Sequence, residues 1–190
     1  MRELIEKRMI SHRTCIESLL NDSESIDLIA SIAESLVESL NKGGQIFFCG
    51  NGGSAADSQH LATELVSRFY KERKAINAES LSVNTSTLTA IGNDYSFDRV
   101  FSRQVEAKGK YGDVLIGIST SGNSANVIKA FEAAKTLGMK CIGMTGEKSC
   151  KMDDVCDFVF HVPESDTPRI QEMHILVGHI ICEIIEDKFA

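Results

Sequence analysis

Two stretches of this 190-residue chain crowd small or polar side chains behind a short apolar run. The first is Phe47-Phe48-Cys49-Gly50-Asn51-Gly52-Gly53-Ser54-Ala55-Ala56-Asp57. Its three glycines let a backbone approach a ligand closely, and Ser54 can cap a following helix, whose N-terminus favours an anion. A tight strand-to-helix turn needs glycine anyway, so glycine alone does not mark a site. The run lacks the Lys-Ser/Thr of a Walker A loop and is not G-x-G-x-x-G. The second stretch is Gly117-Ile118-Ser119-Thr120-Ser121-Gly122-Asn123-Ser124. An N-cap at Asn123 or Ser124 accounts for one or two of its hydroxyls. Four of them, on Ser119, Thr120, Ser121 and Ser124, suit a phosphate monoester held by hydroxyls and free helix N–H groups. The loop carries no Lys or Arg, which fits a small phosphorylated metabolite better than a polyanion.

Other residues can move protons or hold a metal. His60 and Glu64 lie four apart on the helix expected after the glycine turn, hence on one face. Such a pair can chelate one ion or form a simple surface hydrogen bond, and the spacing alone favours neither. His179 sits mid-way along an apolar closing segment. A histidine there is most often a satisfied core residue, but Gln171 and His174 on the same segment weaken that reading. His174 is taken as a packing or supporting residue, outside the site. Gln171 and His179 are eight positions apart, a rise of ~12 Å along a helix, which is far for one helix to bring both to one ion. The expectation is a site shared between subunits, with at least one ligand from a neighbouring chain. Arg68 and Arg169 can each neutralise a phosphate or carboxylate, or form an ion pair; for Arg169 a surface or interface pair is the simpler reading.

The elements that must position these residues follow from periodicity. Helical spacing runs over Glu3–Leu20 and Ser25–Leu40, then Asn41-Lys42-Gly43-Gly44 ends the pattern. Gln45–Cys49 reads as a strand and Ala55–Phe69 as a helix. Ser80–Val83 reads as a second strand, with helices over Ser86–Ile91 and Phe97–Ala107. Asp113–Ile118, Met139–Met144 and Cys156–Val162 read as strands, with helices over Ser124–Leu137 and Arg169–Glu186. Alternating strands and helices imply a parallel sheet covered on both faces. The expected architecture is α/β: a three-layer α-β-α sandwich on a five-stranded parallel sheet. It forms one domain over residues 1–190, with residues 1–42 as an N-terminal helical extension that covers the sheet or pairs with another subunit. In such a sheet, ligands bind at the carboxyl ends of the strands, where both polar stretches fall. Gly146–Lys151 reads as a polar loop without evident chemistry, and Tyr70–Lys74 as a solvated helix end.

Composition narrows the function. Hydrophobic residues make up 43% and charged residues 25%, which excludes disorder and a disulfide-dense scaffold. A net charge of −7 with no long basic run argues against nucleic acid as a partner. No apolar run nears the ~20 residues of a spanning helix, and Met1–Arg8 has no signal-peptide core, so neither membrane nor export is expected. The six cysteines lack C-x-x-C spacing and fit free thiols in a reducing cytoplasm.

Four segments together carry a family resemblance: FCGNGGSAADSQHLATEL, AIGNDYSFDRVFSRQV, GISTSGNSANVIKA and PRIQEMHILVGHIICEIIE. They resemble the bacterial phosphoheptose isomerases of the sugar isomerase (SIS) domain superfamily, over residues 3 to 187. The hydroxyl loop alone marks only the superfamily; its combination with His60, Glu64, Gln171 and His179 is far more specific. The resemblance implies a flavodoxin-like SIS domain and a ketose–aldose isomerisation. Sedoheptulose 7-phosphate would become D-glycero-D-manno-heptose 7-phosphate, the first step towards the activated heptose of lipopolysaccharide or capsule. By the same resemblance, phosphate falls on Ser119, Thr120, Ser121 and Ser124. Sugar contacts fall on Asn51, Gly52, Gly53, Ser54, Asn93 and Asp94, with Glu64 and Gln171 also touching substrate. Glu64 and His179 form the acid/base pair, and His60, Glu64, Gln171 and His179 would bind one zinc ion per subunit. The family implies a cytoplasmic homotetramer with active sites at subunit interfaces, and it strengthens the case for Arg68, one turn beyond Glu64. Two alternatives stand beside it. One is a SIS-domain sugar-phosphate-binding protein that acts through a protein partner such as the replication initiator. The other is an isomerase of another sugar phosphate.

Overall fold

The computed structural model describes every residue from Met1 to Ala190. Two helices, α1 (Arg2–Leu20) and α2 (Ser23–Asn41), precede β1 (Ile46–Gly50) and α3 (Gly53–Val66). Then come β2 (Ala78–Ser80), α4 (Thr85–Asp94), a 3-10 turn (Phe97–Arg99) and α5 (Ser102–Lys108). The second half holds β3 (Val114–Ile118), α6 (Ala125–Thr136), β4 (Lys140–Thr145), α7 (Met152–Val155), β5 (Phe158–His161) and α8 (Thr167–Phe189).

The five strands form one parallel sheet in the order β2-β1-β3-β4-β5. The chain leaves β1 to one side for β2, then crosses to the other side for β3. The order therefore reverses between β1 and β3, and the loops after these two strands diverge to leave a crevice at their carboxyl ends. The glycine turn and the hydroxyl loop are those two loops.

Strand alternation divides the core. Ile46, Phe48, Val114, Ile116, Ile142, Met144 and Phe160 face one side, under α2, α3 and α8 and the C-terminal part of α1. Phe47, Cys49, Leu115 and Cys141 face the other, under α5, α6 and α7. This is the expected three-layer α/β architecture. The helical extension resolves into two different halves. Helix α2 buries Ile29, Ile32, Ala33 and Leu36 against the sheet, each large side chain contributing about 1.5–3 kcal/mol. Helix α1 buries only Cys15 and Leu19, leaving Leu4, Ile5, Met9 and Ile10 between 51% and 69% exposed.

Three local expectations need correction. The second strand is Ala78–Ser80 rather than Ser80–Val83, because only the residues that pair with Ile46–Phe48 extend the ladder. The helix expected over Phe97–Ala107 is a 3-10 turn followed by α5, with Val100 and Phe101 packed into the core at the junction. Helix α3 begins two residues earlier than expected and ends at Val66, so the basic run Tyr70–Lys74 is a loop. Nor is that run all solvated: the Arg73 side chain is 1% exposed and lies 3.3 Å from the equally buried Glu186 carboxylate.

Gly117 on β3 shows how tightly α6 lies on the sheet. A Cβ there would sit 2.4 Å from Phe131 Cζ and 2.7 Å from Val127 Cγ1. Both neighbours are fully buried and have nowhere to go. Gly117→Ala is expected to cost about 1–3 kcal/mol by overpacking, read as a lower midpoint in urea unfolding with unchanged slope.

Candidate active site

The glycine turn is built for close approach. Gly52 has φ +57°, and Ser54 N–H donates to the Asn51 carbonyl at 3.0 Å. Gly52, not Ser54, is the N-cap residue of α3, and no side chain caps this helix. Ser54 instead lies in the first turn, 3% exposed. The N–H groups of Ala55 and Ala56 turn back to the Gly52 carbonyl, so it is exposed Gly52 and Gly53 that present the positive end of α3.

The hydroxyl loop follows the same logic one strand over. Ser124 is the N-cap position of α6, yet its Oγ makes no capping bond. It pairs with Ser119 Oγ at 2.9 Å, and Ser121 Oγ lies 3.4 Å from the same oxygen. Three of the four hydroxyls therefore converge at a helix N-terminus left open to an anion. Gly122, at φ +64°, closes the loop, and a Cβ there would collide with Cys150 and Thr145. A cleft of about 320 Å³ opens beside Thr120, Ser121 and Asn123, with Lys148, Ser149 and Thr167 opposite. The loop after β4 supplies Lys148, the only basic side chain lining the cleft, a placement that sequence reading did not reach. Its composition offered no signal, since a polar loop of this kind is ordinary on any surface.

The two loops are tied together. Asn51 Nδ2 donates to Asn126 Oδ1 at 2.9 Å, and Asn126 Nδ2 donates back to Asn51 Oδ1 at 2.8 Å. Asn126 was not among the expected site residues. An asparagine in the first turn of a helix gives no sequence signal for such a bridge.

Helices α3 and α8 pack side by side and hold the remaining residues. His60 Nε2 lies 3.1 Å from Glu64 Oε1 and 2.8 Å from His179 Nε2. One donor atom from each of the three lies within 4.8 Å of the others, close enough to hold a metal ion. Phe69 stacks on His179 at 5.5 Å between ring centroids. Gln171 is elsewhere: it packs against Gly53, where an added Cβ would be 2.5 Å from its Nε2. Gly53 and His60 are seven residues apart, a rise of roughly 10 Å along α3. One chain therefore holds two clusters, the three-residue group on one side and the turn, Gln171 and the hydroxyl loop on the other. Asn93 and Asp94 end α4 exposed, bonded to each other at 2.9 Å, and the structure does not bring them to either cluster.

Neighbouring groups complete the electrostatics. Asp57, one turn before His60, has one carboxylate oxygen buried without a partner. Burial pushes its carboxyl up, against a smaller opposite pull from His60. Sequence reading missed this residue, although its spacing from His60 places it on the same face. Arg68 is exposed, while Arg169 pairs with Glu172 at 2.5 Å and donates to the Arg8 carbonyl at 2.8 Å. His174 is fully buried under Thr145, whose carbonyl it contacts at 3.2 Å. Burial pulls its pKa down to about 4, with the Thr145 bond opposing. The unfolded chain takes up that proton first, so the contribution of His174 to stability is complete above its unfolded value of ~6.5 and is lost progressively down to about 4. Urea unfolding between pH 7 and pH 4 is expected to show this loss, and His174→Gln is expected to flatten the slope by about 1.4 kcal/mol per pH unit within that window.

Comparison with known proteins places the arrangement. The SIS domain family profile matches residues 14–146. A phosphoheptose isomerase of Clostridium acetobutylicum is 52% identical over 188 residues, covering 99% of this chain and 96% of that protein. One from Rhodospirillum rubrum is 53% identical over 178 residues, covering 94% and 95%. The solved structure of phosphoheptose isomerase GmhA from Neisseria gonorrhoeae superposes with a TM-score of 0.92 at 41% identity, covering 98% of each chain.

Proposed function

The chain belongs to the phosphoheptose isomerases of the SIS domain family, and from that premise we infer how its own residues carry the reaction. It is an aldose–ketose isomerase that interconverts sedoheptulose 7-phosphate and D-glycero-D-manno-heptose 7-phosphate. The observation that carries the assignment of roles is the His60–Glu64–His179 cluster, in which two imidazoles and a carboxylate share one locus.

Moving the carbonyl from C2 to C1 requires a proton to leave C1 and another to arrive at C2, through an enediol. Glu64 and His179 divide these transfers as base and acid. The hydroxyls of Ser119, Thr120, Ser121 and Ser124, with the open N-terminus of α6, hold the phosphate. The turn at Asn51–Ser54 lies against the sugar and aims the N-terminus of α3 at developing negative charge. Gln171, packed on that turn, orients the reacting end of the sugar.

Zinc suits the donor set. It takes imidazole nitrogen and carboxylate oxygen at about 2.0–2.2 Å in tetrahedral sites. His60, Glu64 and His179 would hold it, with at least one further ligand from a neighbouring subunit. The bound ion would supply Lewis-acid stabilisation of the enediolate oxygens. The distance along α3 between the two clusters supports a site assembled across subunits, and the apolar face of α1 supports a homotetramer that buries it. A phosphorylated sugar as substrate supports a cytoplasmic enzyme.

The test is conversion of sedoheptulose 7-phosphate by the purified protein, followed by NMR before and after metal stripping. Aldose formation that stops on chelation and returns with zinc is expected. Aldose formation that is indifferent to chelation would remove the metal from the mechanism. A folded protein without turnover would remove the isomerase reading itself.

A further inference from the structure

The reciprocal bond between Asn51 and Asn126 changes how the glycine turn works. Asn51 is half-buried, and both polar atoms of its side chain are engaged by Asn126, which is 3% exposed. An amide pair of this kind is planar and two-point, so it fixes orientation as well as distance. The bond joins residues 75 apart in sequence. One starts the turn after β1, where its carbonyl accepts from Ser54 N–H at 3.0 Å. The other sits in the first turn of α6, two residues beyond Ser124. The bridge thus crosses the crevice at the switch point between β1 and β3.

We propose that Asn126 is a positioning residue for the isomerisation, acting through Asn51 as a single clamp that sets the spacing between the phosphate-holding loop and the sugar-holding turn. On this assignment the Asn51 side chain serves the clamp, and the turn meets the sugar through its backbone. The idea rests on the isomerase reading for its substrate. The burial of Asn126 makes the clamp exacting: removing Asn51 leaves the Asn126 amide unsatisfied in a nearly dry position. A ligand that touches only the hydroxyl loop does not sense the clamp, whereas a ligand that spans both loops does.

That difference gives the test. Asn51→Ala, Asn126→Ala and the double variant form a cycle, with Asn51→Asp and Asn126→Asp as variants that keep shape and break the donor–acceptor match. Affinity for sedoheptulose 7-phosphate is measured by calorimetry, kcat/KM by turnover, and inorganic phosphate serves as the short probe, as a competitor. Urea unfolding of each variant checks the fold. Each single change is expected to weaken the sugar phosphate by about tenfold or more, and the double change by no more than the worse single change, because the pair acts as one unit. Inorganic phosphate is expected to bind all variants within about twofold of the parent. Multiplying losses would mean that Asn51 contacts the sugar independently, and would overturn the clamp. So would a parallel loss of phosphate affinity, or single variants with undiminished affinity for the sugar phosphate. Binding without turnover in the parent protein would contradict only the isomerase reading, and the cycle would still be read from the affinities. A folded parent that does not bind the sugar phosphate would overturn both.

Discussion

Glu64→Gln is expected to lower kcat by about a hundred- to ten-thousand-fold while the protein stays folded. The substitution keeps the shape of the side chain and one hydrogen-bond acceptor for His60, now 3.1 Å from the carboxylate. It removes the capacity to take a proton. The Glu64 backbone carbonyl, which accepts from Arg73 Nη2 at 2.8 Å, is untouched, so the end of α3 keeps its anchor. The melting temperature is therefore expected to move by only a few degrees while activity collapses. Metal content of the variant separates two roles of the carboxylate. A variant that retains its metal and loses activity has lost a base; one that loses both has lost a ligand as well. Activity within about tenfold of the parent would take Glu64 out of the proton transfer.

The largest effect on stability is expected at Glu186. Its carboxylate accepts the backbone N–H groups of Phe69, Tyr70 and Lys71 at 2.9, 2.6 and 3.0 Å. Arg73 lies 3.3 Å away and donates to the carbonyls of Ser67 and Glu64. The two charged groups are each 1% exposed and close the loop between α3 and β2 onto α8. Glu186→Ala strands a buried guanidinium and three N–H donors, and is expected to cost about 3–5 kcal/mol in urea unfolding. Replacing both partners with leucine is expected to cost less than that, because no charge is left unpaired. Equal or greater loss in the double variant would deny the pairing. Burial alone would raise the Glu186 carboxyl, but the three N–H groups and then Arg73 outweigh it and hold it below the usual carboxylate range. Its contribution is therefore complete above the ordinary glutamate value of ~4.3 and is lost as pH falls through the depressed one. The deficit of Glu186→Ala is expected to narrow in acid. The loop also carries Phe69, which stacks on His179, so loosening it is expected to reduce activity below the unfolding temperature.

What could be read from residues alone follows the strength of local signals. The runs around Phe47, Leu115 and Ile142 are buried on both faces, and such runs announce a parallel sheet without help from elsewhere. His60 and Glu64 were legible as a pair because one helical turn forces them together. Their meeting with His179 depends on how α3 and α8 pack, which spacing within one segment does not encode. Arg73 shows the opposite failure. It sits in a run of charges that looks solvated, and only the distant Glu186 explains its burial. The edge strand Ala78–Ser80 is three residues long, too short for alternation to define its ends. Asn126 lay inside a segment already singled out and was still passed over, because a long-range side-chain bond leaves no periodic trace.

The central claim is that Glu64 and His179 isomerise the sugar by moving protons through an enediol. Its most direct measurement is turnover of sedoheptulose 7-phosphate in deuterated water, with the product read by NMR. A proton parked on a side chain exchanges with solvent, so the aldose is expected to carry deuterium at C2, and Glu64→Gln is expected to abolish its formation. An aldose whose C2 hydrogen comes entirely from C1 of the substrate would point to a direct hydride shift and contradict the account, as would a folded protein that leaves the ketose unchanged.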